Sequence, residues 1–289
     1  QGGSVVMAGL KVDRELRLRT LSSIVIAGLV IFAIYSGGLF WKILASLIAI
    51  LSLGEYYRLL SRLDGVRLSP GIGYIFSLIF LIAAMRENPQ PIVLAMILSL
   101  CVFIVFMLEI FRRQSTKGTS YAISNSGGII SGVIYISIPW TCMIMLREYA
   151  FGREMLITLF VCTWACDVGA YIGGKIFGTI KLCPYVSQGK TIQGFVAGII
   201  GSLIANAVLI YSFSLPTYPT ILIGFICGFA GQFGDLAESL IKREAGQKDS
   251  GNLIPGHGGI LDRFDSMIIT APIIFFLAYF LLMFRQEIN

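Results

Sequence analysis

The stretch Ser239-Leu-Ile-Lys-Arg-Glu-Ala-Gly-Gln-Lys-Asp-Ser-Gly-Asn-Leu-Ile-Pro-Gly-His-Gly-Gly-Ile-Leu-Asp-Arg-Phe-Asp265 lies between two long apolar segments. It contains four basic residues, four acids, five glycines and the single histidine of the chain. Charge is costly next to a lipid bilayer, so a charged cluster between apolar segments indicates a functional site.

The rest of the chain has the composition of a membrane protein. Of its 289 residues, 56% are hydrophobic and only 13% are charged, whereas a soluble domain has about 25% charged residues. The six cysteines are scattered through apolar segments, which predicts buried, inert thiols and no disulfide framework.

Apolar segments of about the length that crosses a bilayer follow one another along the chain. We predict an all-α polytopic membrane protein with about nine transmembrane helices, of which the first and third are short. The expected spans are near 21–37, 39–60, 71–86, 91–111, 125–146, 155–177, 194–213, 219–241 and 264–284.

The basic residues predict the orientation of these spans. With nine spans and a cytoplasmic N-terminus, 17 of the 22 lysines and arginines fall in cytoplasmic segments, as the positive-inside rule requires. The net charge of +6 is then explained by topology and by contact with anionic lipids, and nucleic acid is a poor explanation for it.

We divide the chain into a cytoplasmic lead (1–20), N-terminal membrane helices (21–150) and C-terminal membrane helices with the charged stretch (151–289). Residues 1–6 have the character of a cloning remnant, with Met7 as the expected initiator and no evident cleavable signal peptide.

One face at the end of the eighth span collects polar residues. Asp235, Glu238, Ser239 and Lys242 are spaced i, i+3, i+4 and i+7, so they share one side of a helix. A solvated helix end with a Glu238–Lys242 pair is the alternative, but Asp235 lies deeper in the apolar segment.

Two further carboxylates, Asp262 and Asp265, are three residues apart at the start of the last span. Both could simply cap the helix N-terminus. Facing a second acidic helix end, they form a set of oxygen ligands that suits Mg²⁺.

The connection between these helix ends is rich in glycine. Glycine lets the backbone approach a polyphosphate, and Lys248 supplies a positive charge. A turn-rich connector explains the glycines equally well, and His257 could be structural or functional.

Three other polar features occur outside this stretch. Asp167, followed by Tyr171 among small residues, is predicted to face the bundle interior or to make a structural hydrogen bond. The loop Ser187-Gln-Gly-Lys190-Thr191 could bind phosphate or cap a helix. Glu55 is predicted to pair with Arg58 at a helix interface.

The pattern Ser239-x2-Lys-Arg-x4-Lys-Asp-Ser-Gly-x3-Pro-Gly-His-Gly-Gly-x2-Asp-Arg-x-Asp265 resembles the signature of the phosphatidate cytidylyltransferases, also called CDP-diacylglycerol synthases. Asp167 with Ala170-Tyr171, and the Ser187 to Thr191 loop, resemble two further segments of that family. The similarity covers roughly 155–270. Gln193 departs from the glutamate that the family often has, which puts a carboxylate role at this position in doubt.

The resemblance implies a nucleotidyltransferase that joins CTP to phosphatidic acid and releases CDP-diacylglycerol and pyrophosphate. It implies Mg²⁺ as cofactor, with a second, monovalent cation left open. The implied metal ligands are Asp235 and Asp262, with Asp265 and Asp167 near them. The implied catalytic residues are Asp235, Asp262, Asp265 and Lys242, and the implied substrate-binding residues are Lys190, Thr191, Ser239, Arg243, Lys248, Asp249, His257 and Arg263.

The expected partners are CTP, phosphatidic acid and membrane lipids, with a homodimer left open, and the active site is expected to face the cytoplasm. A cation-coupled transporter that uses Asp167 and Asp235 is the main alternative, although it predicts acids near mid-bilayer. A CDP-alcohol phosphatidyltransferase is disfavoured because its Asp-Gly-x2-Ala-Arg motif is missing.

Overall fold

The computed structural model describes residues 22–86, 91–215, 217–254 and 258–287. In these ranges the chain is helical apart from loops, one isolated bridge and one short hairpin. The helices are α1 (Ser22–Ser36), α2 (Gly38–Leu60), α3 (Pro70–Ala84), α4 (Pro91–Ser115), α5 (Ala122–Gly132), α6 (Ile138–Arg147), α7 (Gly152–Phe177), α8 (Ile192–Phe213), α9 (Thr217–Glu244) and α10 (Leu261–Glu287).

The helices follow the predicted apolar segments, which confirms the all-α membrane fold. In the described ranges, seven helical segments are long and apolar enough to cross a membrane, and α1 and α3 are the two shorter ones. The nine-span count and the cytoplasmic N-terminus stay predictions. The lead, including residues 1–6 and Met7, lies outside the described residues.

A π-helical turn, Val133–Ser137, joins α5 to α6 into one segment. Pro139 follows in the first turn of α6 and has no N–H to donate to the preceding turn. A local widening of the helix accommodates such a loss. The buried hydroxyls of Ser137 and Ser77 lie 2.9 Å apart at this point, which ties the turn to α3.

The main core joins helices from both ends of the chain. Trp41, Trp140, Phe160 and Phe275 are fully buried in one cluster. The Trp140 ring packs edge-on against Phe264, with 5.1 Å between the ring centroids. Five of the six cysteines are buried, and Cys183 is half-buried; all six are free thiols.

Helices α7 and α8 pack closely because small residues line their contact. A Cβ at Gly169 would lie 2.8 Å from the carbonyl oxygen of Ala197, and a Cβ at Gly198 would lie 3.0 Å from Sγ of Cys166. This confirms the predicted close packing of the helix that carries Asp167.

A hairpin that was not predicted connects α7 to α8. Strand β1 (Lys181–Cys183) pairs antiparallel with β2 (Ser187–Thr191), and Lys181 lies opposite Thr191. The strands are too short and too polar to show the alternation by which strands are recognised. The hairpin places Lys190 beside α9.

Candidate active site

A cavity of about 470 Å³ lies between α7, the hairpin, the start of α8 and α9. Its lining includes four predicted site residues, Asp167, Lys190, Thr191 and Asp235, which come from three separate elements. The other lining residues are Ala170, Tyr171, Gly174, Lys175, Leu182, Gly189, Gly194, Phe195 and Gln232.

Lys190 and Asp235 are in direct contact across the cavity wall. The ammonium nitrogen of Lys190 lies 2.8 Å from Oδ2 of Asp235, and it also donates to the carbonyl oxygen of Gln232 at 3.3 Å. Ser239 donates its hydroxyl to Oδ1 of Asp235 at 3.3 Å. Both side chains of the ion pair are partly exposed, so the pair is accessible to a ligand.

The residues next to Lys190 stabilise the local backbone. Thr191 is the N-cap of α8, and its hydroxyl accepts a hydrogen bond from the Gly194 amide at 3.1 Å. Gln193 accepts from the amides of Thr179 and Ile180 and donates to the Thr179 hydroxyl. The side chain of Gln193 therefore holds the turn before β1.

Three carboxylates lie within electrostatic reach of one another: Asp167, Asp235 and Asp265. Asp167 is exposed to the cavity, whereas Asp265 is half-buried. Asp265 accepts a hydrogen bond from the amide of its own neighbour, Ser266, at 2.7 Å. Like charges that interact repel one another, so the arrangement favours a bound cation or proton.

A second charged cluster forms around Lys242. Its ammonium nitrogen lies 2.6 Å from Oε2 of Glu238 and 2.6 Å from Oδ1 of Asp262. Glu238 is completely buried. The predicted Glu238–Lys242 pair therefore exists within α9, but it is buried and is not a solvated helix end. The contact of Lys242 with Asp262 joins α9 to α10.

Asp262 is the best-satisfied carboxylate of the site. Its Oδ2 accepts from the amide and the hydroxyl of Ser250, each at 2.9 Å, and from the Gly259 amide at 2.8 Å. A carboxylate oxygen has about two lone-pair positions, so Oδ2 is fully occupied. Oδ1 contacts the ammonium nitrogen of Lys242.

The connection between α9 and α10 (residues 245–260) is called the signature loop below. Lys248 and Asp249 are exposed on it and do not line the 470 Å³ cavity. Arg243, exposed at the end of α9, donates to the Val186 and Gln247 carbonyl oxygens at 3.5 and 3.3 Å. Arg263 is half-buried in the first turn of α10, and His257 lies outside the described residues.

Glu55 belongs to this site, which the sequence analysis missed. It is completely buried in α2 and contacts the signature loop and the start of α10. The predicted Arg58 pair is present only at 3.9 Å, longer than a hydrogen bond. The signal in the sequence was a single acid in an apolar helix, with its partner distant along the chain.

The fold and the cavity together define an integral membrane protein with a charged, polar site among its C-terminal helices. A profile of the Cytidylyltransferase family matches residues 17–281. The chain therefore belongs to the cytidylyltransferase family.

The names of individual proteins with similar sequences agree with this family assignment. Phosphatidate cytidylyltransferases of Staphylococcus haemolyticus (strain JCSC1435) and Staphylococcus aureus (strain COL) are each 31% identical over 261 residues, which covers 90% of this chain and 97% of each relative. That of Bacillus subtilis (strain 168) is 32% identical over 266 residues, covering 91% of this chain and 97% of the relative. The family resemblance inferred from the 239–265 pattern is confirmed.

Proposed function

We propose that this chain transfers the cytidylyl group of CTP to phosphatidic acid, giving CDP-diacylglycerol and pyrophosphate. The observation that carries the proposal is the match along nearly the whole chain to relatives named phosphatidate cytidylyltransferase. The cavity supports it, because it brings Asp167 and Lys190, which lie in the two further segments that resemble the family, next to Asp235 of α9.

The reaction needs no nucleophile from the protein. An oxygen of the lipid phosphate attacks the α-phosphorus of CTP, and the bond from that phosphorus to the β-phosphate bridging oxygen breaks. Pyrophosphate leaves with the electron pair. The task of the protein is to hold two polyanions in line and to offset their charge.

The charged residues of the cavity indicate that the reaction requires a further source of positive charge. Its lining contains two lysines, Lys175 and Lys190, and two aspartates, Asp167 and Asp235. The two positive and two negative formal charges cancel, so the cavity alone does not neutralise a triphosphate. A divalent cation supplies the missing positive charge when it is bound.

The donor set fits Mg²⁺. In the described ranges no three histidine, cysteine, aspartate or glutamate side chains converge as a metal-binding group. Mg²⁺, however, takes only one or two protein carboxylates and completes its shell with water and phosphate oxygens. We assign Asp235 and Asp262 as its main ligands, with Asp265 and Asp167 near them.

The other polar residues orient the substrates. Lys190 approaches Asp235 from the hairpin and would hold a phosphate at the cavity wall, while the Thr191 cap keeps the hairpin in place. Lys242 holds Asp262 and Glu238 together. We place this site at the cytoplasmic side, where CTP is available, while the lipid enters from the bilayer.

The direct test incubates the purified protein with phosphatidic acid and each labelled nucleoside triphosphate in turn. We expect a labelled nucleotide–lipid product with CTP and pyrophosphate release in equal amount. A protein that forms no such product but carries a cation across vesicles would instead be a transporter.

A further inference from the structure

The side chain of Glu55 reaches from the N-terminal helices into the signature loop. Its Oε1 accepts from the Ile260 amide at 3.0 Å, and its Oε2 accepts from the Leu261 amide at 2.8 Å. These amides are at the start of α10, where a carboxylate is favoured by the helix dipole and by charge-assisted hydrogen bonds. A residue of α2 therefore caps α10.

Ser250 connects Glu55 to Asp262. Its hydroxyl oxygen lies 3.0 Å from Oε2 of Glu55 and 2.9 Å from Oδ2 of Asp262. A serine hydroxyl has one proton, so it donates to one of the two carboxylates at a time. Two buried carboxylates thus share one donor on the signature loop.

The contacts continue beyond Asp262 to Lys242 and Glu238. A continuous polar chain, Glu55–Ser250–Asp262–Lys242–Glu238, therefore joins α2, the signature loop, α10 and α9. The carboxylates of Asp262 and Asp265 are both carried by the first turns of α10, which Glu55 holds.

The loop is shaped around the Glu55 carboxylate. A Cβ at Gly251 would lie 2.5 Å from its Oε1, and a Cβ at Gly259 would overlap its Oε2 and the Ser250 hydroxyl. Only a residue without a side chain lets the backbone approach so closely. The close approach of the Glu55 carboxylate therefore gives a physical reason why the pattern has glycine at positions 251 and 259.

We propose that Glu55 is a positioning residue of the reaction: by capping α10 and sharing Ser250 with Asp262, it sets where Asp262 and Asp265 lie relative to the Asp167–Lys190–Asp235 cavity. The inference rests on the proposed function. It predicts that a change at Glu55 lowers turnover without weakening the binding of CTP, because Glu55 does not line the cavity.

The test uses Glu55→Gln in the full-length protein. Glutamine keeps the size of the side chain, but its amide NH₂ must face one of two backbone N–H donors and cannot accept from it. We expect kcat to fall by about 10- to 100-fold, as a misplacement of about 1 Å causes, with the KM for CTP changed by less than about twofold.

Glu109→Gln is the matched control. Glu109 is also a buried acid of a membrane helix. It accepts from Arg112 at 2.8 Å and from Asn125 at 3.2 Å, and neither of these partners lies in the signature loop. We expect the folded Glu109→Gln protein to have the kcat and KM of the wild type. If Glu109→Gln and Glu55→Gln lost activity equally, the role of Glu55 would be structural only.

Ser250→Ala is the second variant and is informative even if Glu55→Gln fails to fold. It removes the shared hydroxyl but leaves both backbone contacts of Glu55, so we expect kcat to fall about 3- to 10-fold at constant KM for CTP. Wild-type kcat in either folded variant would overturn the inference. A wild-type protein that forms no CDP-diacylglycerol would instead overturn the proposed function.

Discussion

The ammonium group of Lys190 lies 2.8 Å from Oδ2 of Asp235, and this contact joins the β-hairpin to α9 at the wall of the 470 Å³ cavity. A ligand that brings its own negative charge would compete with Asp235 for Lys190. The pair is thus the point at which a phosphate would first replace a contact between protein residues.

Replacing Lys190 by methionine tests this contact. We expect Lys190→Met to raise the KM for CTP by roughly 10- to 150-fold, which corresponds to about 1.5–3 kcal/mol for a charge-assisted contact. Steady-state kinetics with CTP varied at fixed phosphatidic acid measure it. Lys181→Met is the control, because Lys181 is exposed on the neighbouring strand and does not line the cavity; an equal effect of both variants would contradict a specific contact.

Replacing Lys248 should change the KM values less than replacing Lys190. It is exposed on the signature loop, and exposed charge pairs contribute only about 0.2–1 kcal/mol. Lys248→Met should therefore raise the KM for CTP or phosphatidic acid by at most about fivefold, an effect that added salt reduces. Unchanged kinetics for both substrates would remove Lys248 from the binding residues.

The close packing of α7 against α8 predicts a difference in stability between two glycine variants. A Cβ at Gly198 would lie 3.0 Å from Sγ of Cys166 and 3.1 Å from Cβ of Ala170, so Gly198→Val should destabilise by about 1–3 kcal/mol. Gly127 has no neighbouring atom within 4 Å of its Cβ position, so Gly127→Val should stay within about 0.5 kcal/mol of wild type. Thermal unfolding in detergent compares the two, and equal midpoints would contradict the packing.

The orientation in the membrane can be tested by cysteine labelling. Cysteines at Gln247 in the signature loop and at Ala150, between α6 and α7, should react with an impermeant maleimide from opposite sides. Five native thiols are buried, so only Cys183 needs replacement by serine first. Reaction of both positions from the same side would contradict the nine-span topology.

Much of the fold could be predicted because the bilayer forces apolar segments into helices whose backbone groups bond internally. The site was predicted less completely. Nothing in the local sequence showed that Lys190 reaches Asp235, since this depends on how the hairpin, α7 and α9 pack. Glu55 was assigned to Arg58, its neighbour in sequence, whereas its strongest contacts are the amides of Ile260 and Leu261.

The role of Asp262 was likewise only partly predictable from the sequence. Its place at the start of α10 predicted either a cap or a metal ligand. In the structure its Oδ2 is taken up by the signature loop, while Oδ1 contacts Lys242. These contacts arise from the folded loop, which the helical periodicity of the sequence does not describe.

We infer that carboxylates at this cavity and beside it, Asp235 and Asp262 among them, support cytidylyl transfer together with a divalent cation. The most direct measurement is the rate of CDP-diacylglycerol formation against Mg²⁺ concentration for wild type, Asp235→Asn and Asp262→Asn, with Asp64→Asn, an exposed loop acid, as control. Asparagine keeps the shape and removes the charge, so we expect both site variants to be folded and extractable but without turnover, and Asp64→Asn to behave as wild type. Activity of the wild type after exhaustive chelation, or near-normal kcat of Asp235→Asn in saturating Mg²⁺, would contradict the account.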